Sequence, residues 1–463
     1  MEDYDVIVIG SGGGMKIALP AAQKGLKTAF IEKGALGGTC LNRGCIPSKM
    51  MIYPADLMYE IEQAAQVDIK VHGRTRVDFP TMITRISRTV DGISSKLRAM
   101  VSNTDYLDFY DGAAVFKENH VIAVNQKLLR GKQIFIATGS IPQIPAIDGL
   151  ADTPYMTSTE ALRNVKLPDR LIVIGGGYIA CEIGGAYQSF GCDAHFLVRS
   201  ELMRAADTDI RHEFQQQFQK RHQVHRGYLP MRVDYRGNRF HVAARHVETF
   251  DVLELKADAL LIATGVHPAT ADLGLAQTDI KLSADGFIQV DDYLQTNVDG
   301  VYALGDCVGN YFFRHTVNVE GEYLVRSALD RSDARPLDYG PVPYAVFTAP
   351  EIAGVGQTED ALKHAGVTYL MGRSDYADCN MGMARQIDHG FCKLLFTPAG
   401  DKILGAHIIG PQASVLLQTV VAIMRMNGGL DDLLNMTYIH PALPELIRDT
   451  AREAACQRAA SEL

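Results

Sequence analysis

Short apolar runs, each closed by glycine, recur along the chain and set its first structural reading. Tyr4-Asp5-Val6-Ile7-Val8-Ile9 has the length of a strand and ends directly in Gly10-Ser11-Gly12-Gly13-Gly14. A helix-like segment then runs to Gly25, and a second apolar run, Thr28-Ala29-Phe30-Ile31, ends in Glu32. Strand, glycine loop, helix and a strand ending in an acid make the βαβ plan of dinucleotide-binding domains. Gly10, Gly12 and Gly14 let the backbone approach a pyrophosphate, the helix N-terminus faces the anion, and Glu32 takes the ribose hydroxyls. Met15 stands where the third glycine of the pattern normally permits close helix–strand packing, so a slightly displaced helix is expected. Pro20 lies inside the same helix and is expected to bend it.

The plan recurs from Arg170. Leu171-Ile172-Val173-Ile174 leads into Gly175-Gly176-Gly177-Tyr178-Ile179-Ala180, a helix runs to about Gly191, and the strand Ala194–Val198 ends in Arg199. An acid there would grip a ribose 2′-hydroxyl, whereas arginine accommodates a 2′-phosphate, and Arg204 can add a second charge. The competing reading is a pair of solvated surface arginines. Ala-Thr-Gly follows an apolar strand twice, at 137–139 and 263–265, and each copy is expected to close one nucleotide domain. Thr296 to Asp306 then returns to the first domain, where its Gly-Asp can aim a carboxylate at a polyol chain.

Length and composition narrow the class. A chain of 463 residues exceeds one hydrophobic core and predicts two to four domains. With 47% apolar and 21% charged residues it has an ordinary globular profile. The net charge of −9 and the lack of a polybasic run argue against nucleic acid as a partner. No apolar run is long enough to cross a bilayer, and the acidic start MEDYDVIVIG is unlike a signal peptide, so no membrane association and a cytoplasmic location are expected.

Eight cysteines at 40, 45, 181, 192, 307, 379, 392 and 456 are too sparse for a disulfide scaffold. Two of them stand close together in GGTCLNRGCIPSK, residues 37–49. A zinc site would need a second paired cluster, and the other six cysteines form none, which leaves no metal as the expectation. An inert staple and a redox pair remain.

Taken in order, GSGGG, GGTCLNRGCIPSK, ATGSIPQIP, GGGYIACE, ATGVHP, TNVDGVYALGDC, VFTAPEIAGVG and YIHPALPE resemble the FAD-dependent pyridine nucleotide–disulfide oxidoreductases along essentially the whole chain. The resemblance implies an α/β fold with two Rossmann-like nucleotide-binding domains and a C-terminal α+β dimerisation domain. It divides the chain into an FAD domain over 1–148, an inserted NAD(P) domain over 149–268, a central segment over 269–338 completing the FAD site, and an interface domain over 339–463. It also implies an obligate homodimer. FAD would rest on Gly10, Gly12, Gly14, Glu32 and Lys33, on Gly38, Thr39 and Lys49, and on Ala114, Thr138, Gly139 and Asp306. NADPH or NADH would rest on Gly175, Gly177, Tyr178, Ala180, Arg199, Arg204 and Gly265, with Tyr178 covering the flavin until nicotinamide displaces it.

On the same resemblance Cys40 and Cys45 are the redox-active disulfide, with the chain turning through Asn42 to Gly44 to bring them together. Cys45 would lie against the flavin as a charge-transfer thiolate, and Cys40 would attack substrate. Lys49, paired with Glu182, would stabilise reduced flavin. Alone, His440 reads as a satisfied loop histidine. By resemblance, it is the acid–base that reaches the partner subunit's disulfide, with Glu445 fixing its tautomer.

His267 and Ala269 depart from the family's usual arginine and asparagine, and a single Cys456 replaces the vicinal C-terminal cysteines of mercuric and large thioredoxin reductases. No lipoyl-bearing or metal-binding domain is expected before Tyr4. The resemblance implies electron transfer between NAD(P)H and a small-molecule disulfide. The favoured form is NADPH-dependent reduction of a low-molecular-weight disulfide, similar to mycothione reductase, which Arg199 and Arg204 support. Dihydrolipoamide dehydrogenase with NAD⁺ suits GGTCLNRGCIPSK and the His315…Glu320-Gly321 pattern. A flavoprotein serving as an assembly subunit is the reading from another class. Substrate specificity is expected from Met50, Met51, Tyr53, Pro54 and Met58 after Lys49, and from residues 380–385.

Overall fold

The computed structural model describes residues 1–73 and 75–461. Its first unit begins with β1 (Glu2–Ile9), α1 (Met15–Gln23) and β2 (Thr28–Glu32). Helices α2 (Gly38–Arg43), α3 (Cys45–Gln63) and α4 (Phe79–Ser102) precede β3 (Leu107–Asp111), β4 (Val115–Glu118), β5 (Val121–Val124) and β6 (Lys127–Ile136). The strands are ordered β3-β2-β1-β6-β5-β4. The pairs from β3 to β6 are parallel, and β5 and β4 add an antiparallel meander. All five residues Val6 to Gly10 but the glycine are buried apolar strand residues, as a strand covered on both faces requires.

One expectation for α1 is corrected. A Cβ on Gly14 would lie 2.2 Å from the Gly10 carbonyl oxygen and 2.5 Å from Val8, so the close helix–strand approach is made at Gly14. Met15 packs, half-buried, beside Ile17 and Leu19, and does not hold the helix off the sheet. The helix also continues through Pro20 and ends at Gln23 rather than near Gly25.

After β7 (Ser140–Pro142) and α5 (Ser158–Ala161), the second βαβ unit consists of β8 (Arg170–Ile174), α6 (Tyr178–Ser189), β9 (Asp193–Val198), α7 (Thr208–Arg221) and β10 (Gln223–Arg226). A meander of β11 (Tyr228–Arg236), β12 (Arg239–His246) and β13 (Val252–Ala257) is followed by β14 (Ala259–Ile262), which completes the parallel order β10-β9-β8-β14. β15 (Val266–Pro268) returns to pair with β7. β16 (Val301–Ala303) then lies parallel to the second half of β6, which carries the chain back to the first sheet. α8 (Arg314–Leu324) packs on that sheet beside α1 through Val317 and Leu324.

The last unit is an antiparallel sheet of β17 (Pro343–Val346), β18 (Ile352–Gly356), β19 (Leu370–Asp375), β20 (Phe391–Phe396) and β21 (Ile403–Ile409), ordered β17-β18-β21-β20-β19. α9 (Glu359–His364), α10 (Asn380–Ala384), α11 (Ala413–Arg425), α12 (Leu430–Asn435) and α13 (Glu445–Ser461) complete it, α11 and α13 closing its core. Among the described residues no helix is long and apolar enough to cross a membrane.

A buried cation locks this last unit to the second one. Lys393 on β20 is 0% exposed, and its ammonium lies 3.0 Å from Asp207, 2.7 Å from Asp209 and 2.5 Å from Glu359. Burial works against its charge, but the three carboxylates outweigh burial and raise its pKa. Asp207 also accepts from the Glu359 amide and caps α7. Removing one member of a buried ionic cluster leaves its partners uncompensated, typically at about 3–5 kcal/mol. Lys393→Met is therefore expected to lower the thermal unfolding midpoint of the holoprotein markedly. Calorimetry of the two proteins side by side tests this, and coincident melting would show that the cluster adds nothing.

Candidate active site

The first glycine loop is built for close contact. Gly10 adopts φ +96°, and a Cβ there would sit 2.3 Å from the Ala137 carbonyl oxygen. Gly38, at φ +66°, would place a Cβ 2.5 Å from the Gly12 Cα, so the loop before α2 rests directly on the glycine loop. Glu32 accepts from the Ser11 amide at 2.8 Å and the Ser11 hydroxyl at 2.6 Å, which fixes its carboxylate at the mouth of the loop. Gly139 leaves open space where its Cβ would stand, and a Cβ on Gly12 would meet only the Gly38 Cα, in ordinary contact at 3.8 Å. Asp306 is held at 2.5 Å by the Ser140 hydroxyl, and burial raises its carboxyl pKa. Thr39 and Lys33 are exposed and Ala114 is buried in the sheet core. A glycine cradle, a helix N-terminus and two anchored carboxylates fit the pyrophosphate, ribose and ribityl groups of FAD.

Cys40 lies in α2 and Cys45 opens α3, with Gly44 as the break between the helices. The expected turn through Asn42 to Gly44 is thus a short helix, because the Asn42 amide group donates to the carbonyls of Ala35, Leu36 and Gly38 at 3.0 Å each and winds the segment. Both cysteines are free thiols, joined by a hydrogen bond between their side chains. The hydrogen bond from Cys40 pulls the Cys45 thiol down to about 7, helped by Lys49 and Arg314 against desolvation. The same bond, followed by burial, pushes the Cys40 thiol far up. The pair is polarised, with Cys45 the thiolate.

Lys49, one turn on, lies 2.7 Å from Glu182 on α6, which is 5% exposed. The other Glu182 oxygen accepts from the Phe347 amide at 2.9 Å, and the Lys49 ammonium sits 4.4 Å from the Phe347 ring centre. Burial raises the Glu182 carboxyl while Lys49 opposes it. Tyr178 stands at the start of α6, its phenol pushed up to about 12 by desolvation and then by Asp306, Glu182 and the Cys45 sulfur. It therefore sits where the two nucleotide sites meet.

In the second glycine loop a Cβ on Gly175 would lie 2.2 Å from the Ala263 carbonyl oxygen, whereas Gly177 faces open space. Ala180 is buried and Gly265 exposed. Arg199 and Arg204 are exposed, and neither makes an ion pair among the described residues. The one acid between the two arginines, Glu201, is held by Arg211 at 3.2 Å and Arg226 at 3.8 Å. The turn after β9 thus presents a positive surface.

His440 donates or accepts through Nδ1 at 3.0 Å from Glu445, whose side chain is 1% exposed, while the imidazole is 65% exposed. Glu445 also accepts from the Ala442 amide and pairs with Arg448 at 3.0 Å. Among the described residues no contact joins His440 to Cys40 or Cys45. The histidine is aimed outward.

Sequence reading missed Arg314, which donates to the Gly12 carbonyl at 2.7 Å and whose charge reaches both cysteines. Its place beside His315 in Phe-Phe-Arg-His-Thr was the available signal. Glu320, buried, fixes the Gly305-Asp306 turn by accepting from the Gly305 amide at 2.6 Å. Met51 is core, 0% exposed, and not a cleft residue as expected, and Met58 packs against that same core.

Residues 4–324 match the family described as pyridine nucleotide-disulphide oxidoreductase, and residues 342–451 match its dimerisation domain. The chain is 32% identical over 463 residues to dihydrolipoyl dehydrogenase 2, mitochondrial, of Arabidopsis thaliana, covering 97% of this chain and 90% of that one. It is 32% identical over 467 residues to dihydrolipoyl dehydrogenase 3 of Haloarcula marismortui, covering 97% and 96%. The HOCl-induced flavoprotein disulfide reductase RclA from Escherichia coli has a similar structure, with TM-score 0.86, 27% identity and coverage of 97% and 99%.

The polarised thiols generate a prediction. In the reduced protein, alkylation at Cys45 is expected to rise through a midpoint near pH 7, the value its surroundings impose. Arg314→Gln removes one of the stabilising charges and should slow that alkylation by about three- to tenfold at pH 7. Peptide mass spectrometry after iodoacetamide pulses reads each cysteine separately. Preferential labelling of Cys40 at that pH would reverse the assignment.

Proposed function

The chain belongs to the FAD-dependent pyridine nucleotide–disulphide oxidoreductases, and from that premise we propose that it uses NADPH to reduce a low-molecular-weight disulfide, in the manner of mycothione reductase. It is a flavoprotein disulfide oxidoreductase working with FAD and NAD(P)H, and its dimerisation domain makes it a homodimer. The observation that carries the choice of NADPH is the pair of exposed guanidiniums, Arg199 and Arg204, without an ion pair among the described residues and beside an acid already engaged by Arg211 and Arg226. A 2′-phosphate brings the anion that turn lacks.

Bound FAD supplies two-electron transfer between the nicotinamide and the cysteine pair. The chain's own residues do the rest. Cys40, with its thiol pushed up, needs a base to ionise, and His440 of the partner subunit takes its proton, held in one tautomer by Glu445. The Cys40 thiolate attacks one sulfur of the substrate disulfide, forming a mixed disulfide and releasing a thiolate that recovers the proton from the imidazolium. The Cys45 thiolate then attacks Cys40, releasing the second thiolate, which takes a proton from solvent, and leaving the Cys40–Cys45 disulfide. Two electrons have passed to substrate. Each site needs two chains on this reading, and a reducing cytoplasm suits it.

The curated relatives favour a second reading, since those named above are dihydrolipoyl dehydrogenases. That reaction runs the same thiol chemistry backwards with NAD⁺. Steady-state turnover of a disulfide panel with each nucleotide decides between them.

Neutral replacement of both Arg199 and Arg204 is expected to raise the NADPH Michaelis constant by about ten- to a hundredfold and to spare NADH. An unmutated enzyme indifferent to the two nucleotides would remove the basis for NADPH. The shared site predicts complementation as well. Homodimers of His440→Ala and of Cys40→Ser should each lose about a hundredfold or more in disulfide turnover. Mixed dimers should regain one working site, combining an intact Cys40 with an intact His440. Mixed dimers demonstrated by mass yet inactive would place the base within one chain.

A further inference from the structure

The outward face of α3 carries Ile46, Met50 and Tyr53 one turn apart, while Met51, Ile52 and Ala55 fill the core behind it. This face borders a cleft of about 610 Å³ that begins at Cys45 and Lys49 and reaches across to Arg85 on α4. That volume suits a small organic ligand. Arg85 is there because Met82, Ile83 and Ile86 turn the opposite side of α4 into the core. Among the described residues the cleft wall holds two cations and no carboxylate. Lys49 is already committed to Glu182 at 2.7 Å. Arg85 makes no ion pair or side-chain hydrogen bond among the described residues. It is thus a cation without a partner in a largely apolar wall that begins at Cys45, the hydrogen-bonded neighbour of the substrate-attacking Cys40.

We propose that Arg85 is a specificity-determining residue that receives a carboxylate, so that the substrate is an anionic disulfide whose carboxylate lies an aliphatic spacer away from its sulfurs. The inference rests on the reading that the cysteine pair reduces a low-molecular-weight disulfide. A guanidinium offers two parallel donors matched to the two oxygens of a carboxylate. Ile46, Met50 and Tyr53 cover the spacer and lower the local dielectric, which strengthens the charge-assisted bonds at its end. A neutral amide in the same place accepts one bond and brings no charge.

Lipoate and lipoamide differ only in that terminal group and isolate its effect. With whichever nicotinamide nucleotide is used faster, the holoenzyme is expected to show a higher kcat/KM for lipoate than for lipoamide. Arg85→Gln should lower the lipoate-to-lipoamide ratio by roughly ten- to a hundredfold, mainly through KM. Arg85→Lys, retaining charge without the fork, should recover part of the ratio. Octanoate, with the carboxylate and spacer but no disulfide, should compete with lipoate in the unmutated enzyme. A ratio unmoved by Arg85→Gln, or a failure of octanoate to compete, overturns the assignment of Arg85 while leaving disulfide reduction intact. Turnover of neither disulfide by the unmutated enzyme also overturns the Arg85 assignment, whereas the low-molecular-weight disulfide reading fails only if the whole disulfide panel is inert with both nucleotides.

Discussion

The ion pair between Lys49 and Glu182 is the contact on which the rest of the site depends. It joins α3 of the first nucleotide unit to α6 of the second, and the Phe347 amide brings the last unit to the same carboxylate. A carboxylate 5% exposed is unstable as an anion unless its oxygens are filled, and here one holds an ammonium and the other a backbone N–H. Glu182 in turn keeps Lys49 from swinging into solvent. The same ammonium helps to hold the Cys45 thiolate, with Arg314 contributing from α8. Four charges, two of each sign, therefore settle one another at the meeting point of three units. A shift of any unit would unbalance them.

The histidine lies outside this balance. Glu445 is buried and fully occupied, yet the imidazole it orients is mostly exposed and faces away from its own chain's thiols. Holding an exposed side chain in one orientation has an entropic cost, set here against its single contact with Glu445. The proposed shared site of a homodimer would give that exposed imidazole its use. Ile439 precedes the histidine at 78% exposure, and Tyr53 stands at 65% on the helix that carries Cys45.

What was legible in the sequence follows from local rules. An apolar run ending in glycines and followed by an acid specifies its βαβ unit through backbone sterics alone, so both nucleotide units and the carboxylate at Glu32 could be read. The spacing of the cysteines announced a pair but not its shape. The helix between them depends on the Asn42 amide finding three carbonyls, a tertiary coincidence invisible in CLNRGC. Met15 misled because the close approach had moved one residue back, to Gly14. Arg314 and Lys393 were missed for a common reason. Each acts on groups far away in the chain, Arg314 on Gly12 and the cysteines and Lys393 on Asp207, so no window of sequence contains both partners.

The thiol chemistry itself has no preferred direction, because a dithiol and a disulfide exchange through the same mixed disulfide either way. Relatives that oxidise a dithiol and a chain proposed to reduce a disulfide can therefore share every group from Lys49 to His440. Direction and substrate have to be set at the two ends of the electron path. At one end Glu201, the acid between Arg199 and Arg204, is engaged by Arg211 and Arg226, which leaves both arginines without an ion pair among the described residues. At the other, the cleft beyond Cys45 ends in Arg85, again a cation without a partner among the described residues. Unpaired arginines are stable in solvent, so neither end is strained while empty. Each becomes selective only when a ligand brings the missing charge, and both ends ask for an anion where the middle of the site is neutral.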